Sequence, residues 1–519
     1  MRKLIKIGGK AYYSRWFPIG LLILGVLFRI HQYLLLNSLW LDEGCLAINI
    51  IRSNFLDLLK PLKYYAQAAP ILFLITTKFL TKIFGINEYV LRFFPFLSSI
   101  GTLISGYFLG KLTLGKKSFP IFILILSFSR FAVYYAGEFK QYSSDLFFSI
   151  LIITLAFYTN KKLYDYRSLI IFGLVSISAI WFSHPAIIVI LASCITITFN
   201  LIIKRKKIKK IKFLFLVILG FFIFISFVIN YFYFTKATVN PNYEYFSSSF
   251  PPIPLKNIED IFWYPRILSV IYNNPLGLTL DIINNVYHLP LFILILQNLF
   301  LTAIFLIAII SIFKEKNWFK LIIIILLPLI LFFLSAFKIY PLHQRFILFI
   351  IPVFYLLFAD GIITSFSLFK GKLKFIGIMI LIIFILYPLA NKVVFNLNTS
   401  TRAETKPVIQ YYLKNRLGDD KIYIYPSPWE DPVYIYYTYY YFKNLSNQIF
   451  INEKFEENSI GFMRELKSKS GKGRVWIILP YMYDSNLNNW EEVVNGLKTI
   501  GIEKDCFKSS SSIYLFDFN

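Results

Sequence analysis

Asn37-Ser38-Leu39-Trp40-Leu41-Asp42-Glu43 closes the first apolar segment of the chain and sets two carboxylates beside it. Carboxylates are expensive to hold near lipid, so an acid pair at the exit of an apolar run reads first as a functional site. That reading requires the run to be a membrane span, and the rest of the chain supports this. Of 519 residues, 57% are hydrophobic and 16% charged, and the mean hydropathy is +0.62. Soluble chains carry roughly 45–50% apolar and about 25% charged residues. The apolar residues here gather in runs of about 17–25, the length that crosses a hydrocarbon core. The expected fold is a polytopic α-helical membrane protein.

The net charge of +26 invites a nucleic-acid role. The placement of the cations argues against one. They sit in short segments between apolar runs: Lys111, Lys116 and Lys117; Lys161, Lys162 and Arg167; the cluster from Lys204 to Lys212; Lys314, Lys316 and Lys320; Lys370, Lys372 and Lys374. Basic short loops mark the cytoplasmic side of a membrane protein, so no nucleic-acid partner is expected. Cys45, Cys194 and Cys506 are odd in number and far apart, which suggests neither a disulfide framework nor a metal cluster. The basic start (Arg2, Lys3, Lys6, Lys10) and the apolar run after it lack a small-residue cleavage site, and read as a retained first span.

With basic loops inside, about eleven spans are expected: near 16–36, 89–110, 118–136, 146–159, 168–182, 186–203, 213–234, 289–313, 321–337, 346–368 and 376–391. The fifth and sixth hinge at Ser183-His184-Pro185, and a long polar stretch, 235–288, follows the seventh. Residues 70–80 are apolar enough to span. If they did, the Lys204–Lys212 cluster would face outward, against the orientation bias. Residues 44–85 are therefore expected as external juxtamembrane helices in or near the interface. The expected domains are a membrane domain, 1–391, with external loop 1 at about 38–88, and an extracytoplasmic α/β domain, 392–519. In the latter, Lys421–Tyr425, Gln448–Asn452, Arg474–Leu479 and Ser512–Phe516 read as strands, and Pro407–Leu417 and Asn489–Ile500 as helices. The chain is expected in the plasma or inner membrane, with its N-terminus cytoplasmic.

On this topology the suggestive polar residues fall on outer loops. They are Asp42 and Glu43; Glu138, Lys140 and Tyr142 in the loop 137–145; His184; and His343 and Arg345 in Tyr340-Pro341-Leu342-His343-Gln344-Arg345. Acids, cations and histidines on one face suit an anionic, hydroxyl-rich substrate. Each has a plainer reading. Asp42 could cap the helix that follows, Lys140 could anchor at the interface, and Arg345 could snorkel from its span. His184 and His343 could be structural, or ligate a divalent cation together with a carboxylate, although no tight ligand spacing supports that. As chemistry, Asp42 would be a general base, Lys140 a point charge for a phosphate, and Arg345 a planar fork for one. The Tyr-rich stretch Tyr434–Tyr441 could stack on sugar or pack as core. There is no phosphate-binding Gly-x-x-x-x-Gly-Lys-Ser/Thr loop, no dinucleotide fingerprint and no serine-nucleophile elbow. No nucleotide cofactor is expected, and a divalent cation is left open.

Taken in order, Arg29…Ser38-Leu39-Trp40-Leu41-Asp42-Glu43, Ala69-Pro70, Leu91-Arg92-Phe93-Phe94-Pro95, Tyr134–Tyr142, His343–Pro352 and Thr401–Val408 resemble the membrane-embedded glycosyltransferases of the GT-C fold. These use polyprenyl-phosphate sugars, and include protein O-mannosyltransferases and the lipid A aminoarabinose transferase. The resemblance implies inverting transfer at the outer membrane face from a polyprenyl-phosphate sugar to a glycan, lipid or protein hydroxyl. Asp42 would be the base, with Glu43 beside it, and Lys140, Tyr142 and Arg345 would hold the donor phosphate. Glu138, His184 and His343 would contact substrate or metal. Many relatives carry a histidine near the first-loop proline, whereas Gln67-Ala68-Ala69-Pro70 has none. A polysaccharide or lipid-linked sugar transporter would show inverted repeats, and none is seen. A membrane scaffold with a binding domain would be indifferent to Asp42.

Overall fold

The structure is a computed structural model that describes residues 12, 14–35, 37–65, 67–203, 210–236, 246–279, 291–368, 404–418, 420–425, 431–441, 449–451, 466, 473–480 and 490–518. It divides into two compact units. The first comprises Met1–Leu34, Ala68–Leu74 and Arg92–Asn398, and the second Leu35–Gln67, Ile75–Leu91 and Thr399–Asn519.

Among the described residues, eight helices are long and apolar enough to cross a membrane. They are Trp16–Leu34, Glu88–Thr113, Tyr142–Lys161, Ala186–Ile203, Lys212–Thr235, Phe292–Lys314, Trp318–Ala336 and Gln344–Leu368. The pair Ser118–Ser127 and Arg130–Gly137, bent by 45° at a break, is apolar enough when taken together and would count as a ninth. The expected fifth span is the shorter apolar helix Tyr166–Phe182. At about 1.5 Å per residue, its 17 residues fall a little short of a core about 30 Å thick. The expected eleventh span, 376–391, lies outside the described residues. Residues Ile71–Phe84, expected as an interfacial helix, form a helix of 14 residues.

The segment expected to span at 118–136 consists of two helices with a break at Phe128–Ser129. Ser129 is extended in ψ, which ends the first helix. Backbone groups freed inside lipid need partners from protein. The fully buried Arg29 supplies them, donating to the carbonyls of Ser127 (3.0 Å) and Leu126 (3.2 Å) as well as to Ser99 Oγ (2.7 Å). One turn earlier, Gly25 brings its helix against Ser127; a Cβ there would stand 2.9 Å from the serine Cβ. Elsewhere in this unit Lys320 pairs with Asp360 and donates to the Thr113 carbonyl (3.0 Å), so that a buried ammonium is matched by a carboxylate and a helix end.

The second unit is built on a five-stranded sheet: β1 (Lys421–Ile424), β2 (Ile449–Ile451), β3 (Gly473–Leu479), β4 (Ile502–Lys508) and β5 (Ser512–Phe518), in the order β2-β1-β3-β5-β4. β1 runs parallel to β2 and β3, while β5 is antiparallel to β3 and β4. β3 is the centre. Its Val475–Leu479 run is buried throughout, as a strand covered on both faces requires. Helix Trp490–Ile500 packs Val493, Val494 and Leu497 against Tyr423, Ile477 and Phe516. Sequence patterning missed β4. It is an edge strand with no fully buried residue and a register shift between Glu503 and Asp505, so its charged side chains blunt the edge instead of filling a core.

The same unit contains the helix Leu41–Arg52 and the loop after it. The expectation placed residues 38–88 with the membrane domain. By contact, 35–67 and 75–91 pack with the C-terminal residues. The reason is long-range: Val433 sits where a side chain on Gly44 would go, 2.8 Å from its ideal Cβ.

Candidate functional site

Asp42 and Glu43 occupy the first turn of Leu41–Arg52. Glu43 is buried, and its carboxylate accepts from the Trp40 backbone N–H at 3.2 Å. It therefore closes the helix N-terminus from its third position, as an acid in a capping box does. Asp42, one residue earlier, is only partly buried. Helix capping thus engages Glu43 directly, and Asp42 stands beside it on the more open side.

The approach to Asp42 is clamped. Tyr437 OH accepts from Leu39 N–H (2.8 Å) and donates to Glu88 Oε1 (3.1 Å). Lys406 Nζ lies 2.9 Å from the same oxygen, and Lys406 N–H donates to Ser38 Oγ at 3.0 Å. Glu88 is 1% exposed. Lys406 thus holds Ser38 and Tyr437 holds Leu39, and the side chains of the two meet at one buried carboxylate. Sequence reasoning missed Glu88, Lys406 and Tyr437 as members of this group. Partners 349 and 368 residues apart leave no local pattern. The Tyr-rich stretch resolves toward packing, since Tyr434, Tyr436 and Tyr437 are essentially inaccessible.

The remaining nominated residues belong to the first unit. The loop 137–141 follows Arg130–Tyr134 and its 3₁₀ extension Tyr135–Gly137, and leads into Tyr142–Lys161. Gly137 is required here, because a Cβ would meet the Gln32 carbonyl at 2.8 Å. Glu138, Lys140 and Tyr142 are all buried. The Arg345 guanidinium lies 5.7 Å from the centroids of both the Tyr142 and Phe346 rings. Tyr142 also meets Tyr135 edge-on at 5.0 Å. The structure therefore brings together Tyr142 and Arg345, which are two hundred positions apart. His343 flanks them, held by Ser249 Oγ at 3.2 Å from Nδ1 and by the ring of Phe246. Burial, helped by the Arg345 charge, lowers His343 to about 4. Burial alone takes His184 to about 4, so both imidazoles are neutral at pH 7. The Tyr340 hydroxyl is pushed well above its usual value by burial, then by Asp145 and Tyr142.

Two polar atoms in the segments beside this cluster are buried without a hydrogen-bond partner among the described residues: Gln141 Oε1 and His184 Nε2. Gln141 and Asp145 are one helical turn apart, and Asp145 lies beside Ser183, the neighbour of His184. Unsatisfied buried polar groups are rare, and mark places where a ligand or water completes the structure. Among the described residues no three His, Cys, Asp or Glu side chains gather as a metal would need.

No family model matches the chain, and no curated protein matches it in sequence. Solved structures match it in shape. ArnT from Cupriavidus metallidurans in the apo state is similar at 10% identity, over 94% of this chain and 96% of that one, with a TM-score of 0.50. The same protein bound to undecaprenyl phosphate matches at 9% identity, over 97% and 98%, also with a TM-score of 0.50. The oligosaccharyltransferase AglB from Archaeoglobus fulgidus, in complex with an inhibitory peptide and a dolichol-phosphate, matches at 12% identity over 96% and 74%, with a TM-score of 0.48. At such identities the likeness is one of architecture: the chain has the GT-C fold of membrane glycosyltransferases.

Proposed function

We propose that the protein is an inverting glycosyltransferase that moves a sugar from a polyprenyl-phosphate donor to a hydroxyl acceptor at the outer membrane face. The observation that carries this reading is the Tyr142–Arg345 cluster. A guanidinium set over a tyrosine ring stands beside buried polar atoms without partners, in a fold shared with a protein described bound to undecaprenyl phosphate.

In the proposed reaction the acceptor hydroxyl gives its proton to Asp42, and its oxygen attacks the anomeric carbon. The bond from that carbon to the phosphate oxygen breaks, and the polyprenyl phosphate leaves with the electron pair. A single displacement inverts the anomeric centre. Lys140 and Arg345 neutralise the charge gathering on the departing phosphate, and Tyr142 fixes the Arg345 plane. Such preorganised cations are worth most where water is excluded. Because phosphate is already a good leaving group, one base is enough, whereas glycoside hydrolysis needs two carboxyls at set separations. Glu138, His184 and His343 would contact donor or acceptor hydroxyls, the histidines as neutral hydrogen-bonding groups. The acceptor is a glycan, lipid or protein hydroxyl, and membrane lipids solvate the spans.

The test is transfer of labelled sugar from a defined polyprenyl-phosphate donor pool to membrane acceptors. General acid–base catalysis contributes about 10²–10⁴-fold, so Asp42→Asn should lose roughly that factor while keeping donor binding. Full transfer by Asp42→Asn would remove the base assignment. Folded wild type that transfers from no donor would point to a transporter.

A further inference from the structure

Arg52 ends the helix Leu41–Arg52, which carries Asp42 in its first turn, and its surroundings are built rather than incidental. Its Nε–H donates to Tyr440 OH at 2.9 Å. The guanidinium lies 5.5 Å from the Tyr64 ring centroid and 6.0 Å from that of Tyr440. Tyr64 is itself pinned. The buried amide of Asn49 donates to its carbonyl (2.7 Å) and accepts from its N–H (3.1 Å). Pinning Tyr64 leaves the next residue, Tyr65, with φ +59°, a left-handed conformation that bulky side chains rarely adopt. Strain of this kind persists where the surroundings over-determine it, and it clusters at ligand clamps. Tyr65 keeps 38% of its surface exposed.

Arg52 is exposed, and its electrostatic neighbours are Tyr440, Tyr64 and Tyr65, with no carboxylate among them. Among the described residues its two terminal nitrogens make no hydrogen bond. A guanidinium used only as a structural joint would be buried and saturated. Here Nε is tied to Tyr440 while the residue stays exposed, with the exposed Tyr65 among its neighbours.

We infer that Arg52, Tyr64, Tyr65 and Tyr440 form an accessory subsite for an anionic sugar, a pyranose carrying a carboxylate or phosphate. The fork pairs with the anion in bidentate fashion, and the Tyr65 ring stacks on the apolar face of the pyranose. Arg52 lies ten positions beyond Asp42 on the helix, about 15 Å along the axis. That reach exceeds one sugar ring, so the subsite holds a part of the acceptor remote from the reacting hydroxyl. This placement rests on the proposed transferase reading, whereas the binding itself does not.

The experiment uses the full chain in neutral detergent and measures binding of methyl β-glucuronide and methyl β-glucoside by saturation-transfer NMR. Hydrogen bonds to charged groups contribute about 1.5–3 kcal/mol, so Arg52→Gln should weaken uronide binding about 10–100-fold and leave the weak glucoside signal unchanged. Arg52→Lys should recover only part of the loss, because a point charge lacks the fork. Tyr65→Leu should weaken both sugars. Asp42→Asn should bind the uronide as wild type does, which separates this subsite from the catalytic assignment. Equal uronide binding by wild type and Arg52→Gln would overturn the inference. So would no uronide binding by wild type, or Arg52-dependent binding seen only with phosphatidylglycerol nanodiscs, which would make the cluster a lipid headgroup site.

Discussion

Lys406→Met tests whether the C-terminal segment holds the approach to Asp42. The substitution keeps the length of the side chain and removes its charge. The Glu88 carboxylate, 1% exposed, is left with the Tyr437 hydroxyl and without its cation. Stranding one member of a buried pair costs about 3–5 kcal/mol. The lower figure applies here, because the Lys406 side chain keeps 11% of its exposure and the tyrosine hydrogen bond survives. A loss of about 3 kcal/mol in a unit of this size corresponds to roughly 6–12 °C in Tm. Peptide-resolved hydrogen exchange reads the unit's own opening free energy, with Gly473–Leu479 as its most protected strand. Exchange at 38–44 should quicken with it through the Tyr437 hydroxyl, which bonds both Leu39 N–H and the stranded carboxylate; the Ser38 bond comes from the residue 406 backbone and stays. Adding Glu88→Gln removes the stranded charge, so the double variant should lie within about 1 kcal/mol of wild type. Protection in Lys406→Met indistinguishable from wild type would refute the reasoning, as would a double variant that loses the sum of both singles.

Gly44→Ala puts a methyl group 2.8 Å from Val433 Cγ2 and 3.0 Å from its backbone nitrogen, and should cost about 1–3 kcal/mol by the same exchange measurement. Gly20→Ala, whose Cβ meets nothing within 4 Å in a helix, is the contrasting control and should cost nothing, or stabilise by up to about 1 kcal/mol. His184 falls to about 4 on burial, below its unfolded value near 6.5, so the unfolded state binds more protons between these limits. Stability should be complete above about pH 6.5 and fall toward pH 4; His184→Gln should flatten that slope in thermal unfolding between pH 7.5 and 4.5, and an unchanged slope would exonerate the residue. Arg345→Lys keeps the charge but loses the planar contact with Tyr142; on the proposed reading it should raise KM for the donor about tenfold or more with a smaller change in kcat. Unchanged KM would take Arg345 out of donor binding.

The membrane architecture was legible because lipid imposes a one-dimensional rule: a span must be apolar over its length, and Trp16–Leu34 through Gln344–Leu368 obey it. The break at Phe128–Ser129 was not legible, because those residues are compatible with helix and the cause lies on Arg29, 97 and 98 positions away in its bonds. The strands β1, β2, β3 and β5 were visible as short β-rich runs, whereas β4 was hidden by the charges that suit it to an edge. Site residues differed in the same way. Asp42 and Glu43 stand out because acids beside an apolar run are rare. The distinction between them, one capping and one open, needed coordinates. Glu88 and Lys406 read as ordinary charges at helix starts, and only the fold makes them one buried pair.

The arginine that bridges the broken span has a consequence for synthesis. Arg29 leaves the ribosome 98 residues before the carbonyl of Ser127 that it will bond. At about 5–20 residues per second, that is a wait of roughly 5–20 s. An arginine at the centre of a lone span costs about 2.5–3.5 kcal/mol to insert, and Arg29, past the centre of Trp16–Leu34, part of that. The first helix should therefore linger at the translocon wall, or sit shallow, until the later segment arrives, and lateral release of the two becomes one event. A translation-arrest force reporter would time it: wild type should pull when residue 127 reaches the membrane, and Arg29→Leu at the first helix itself.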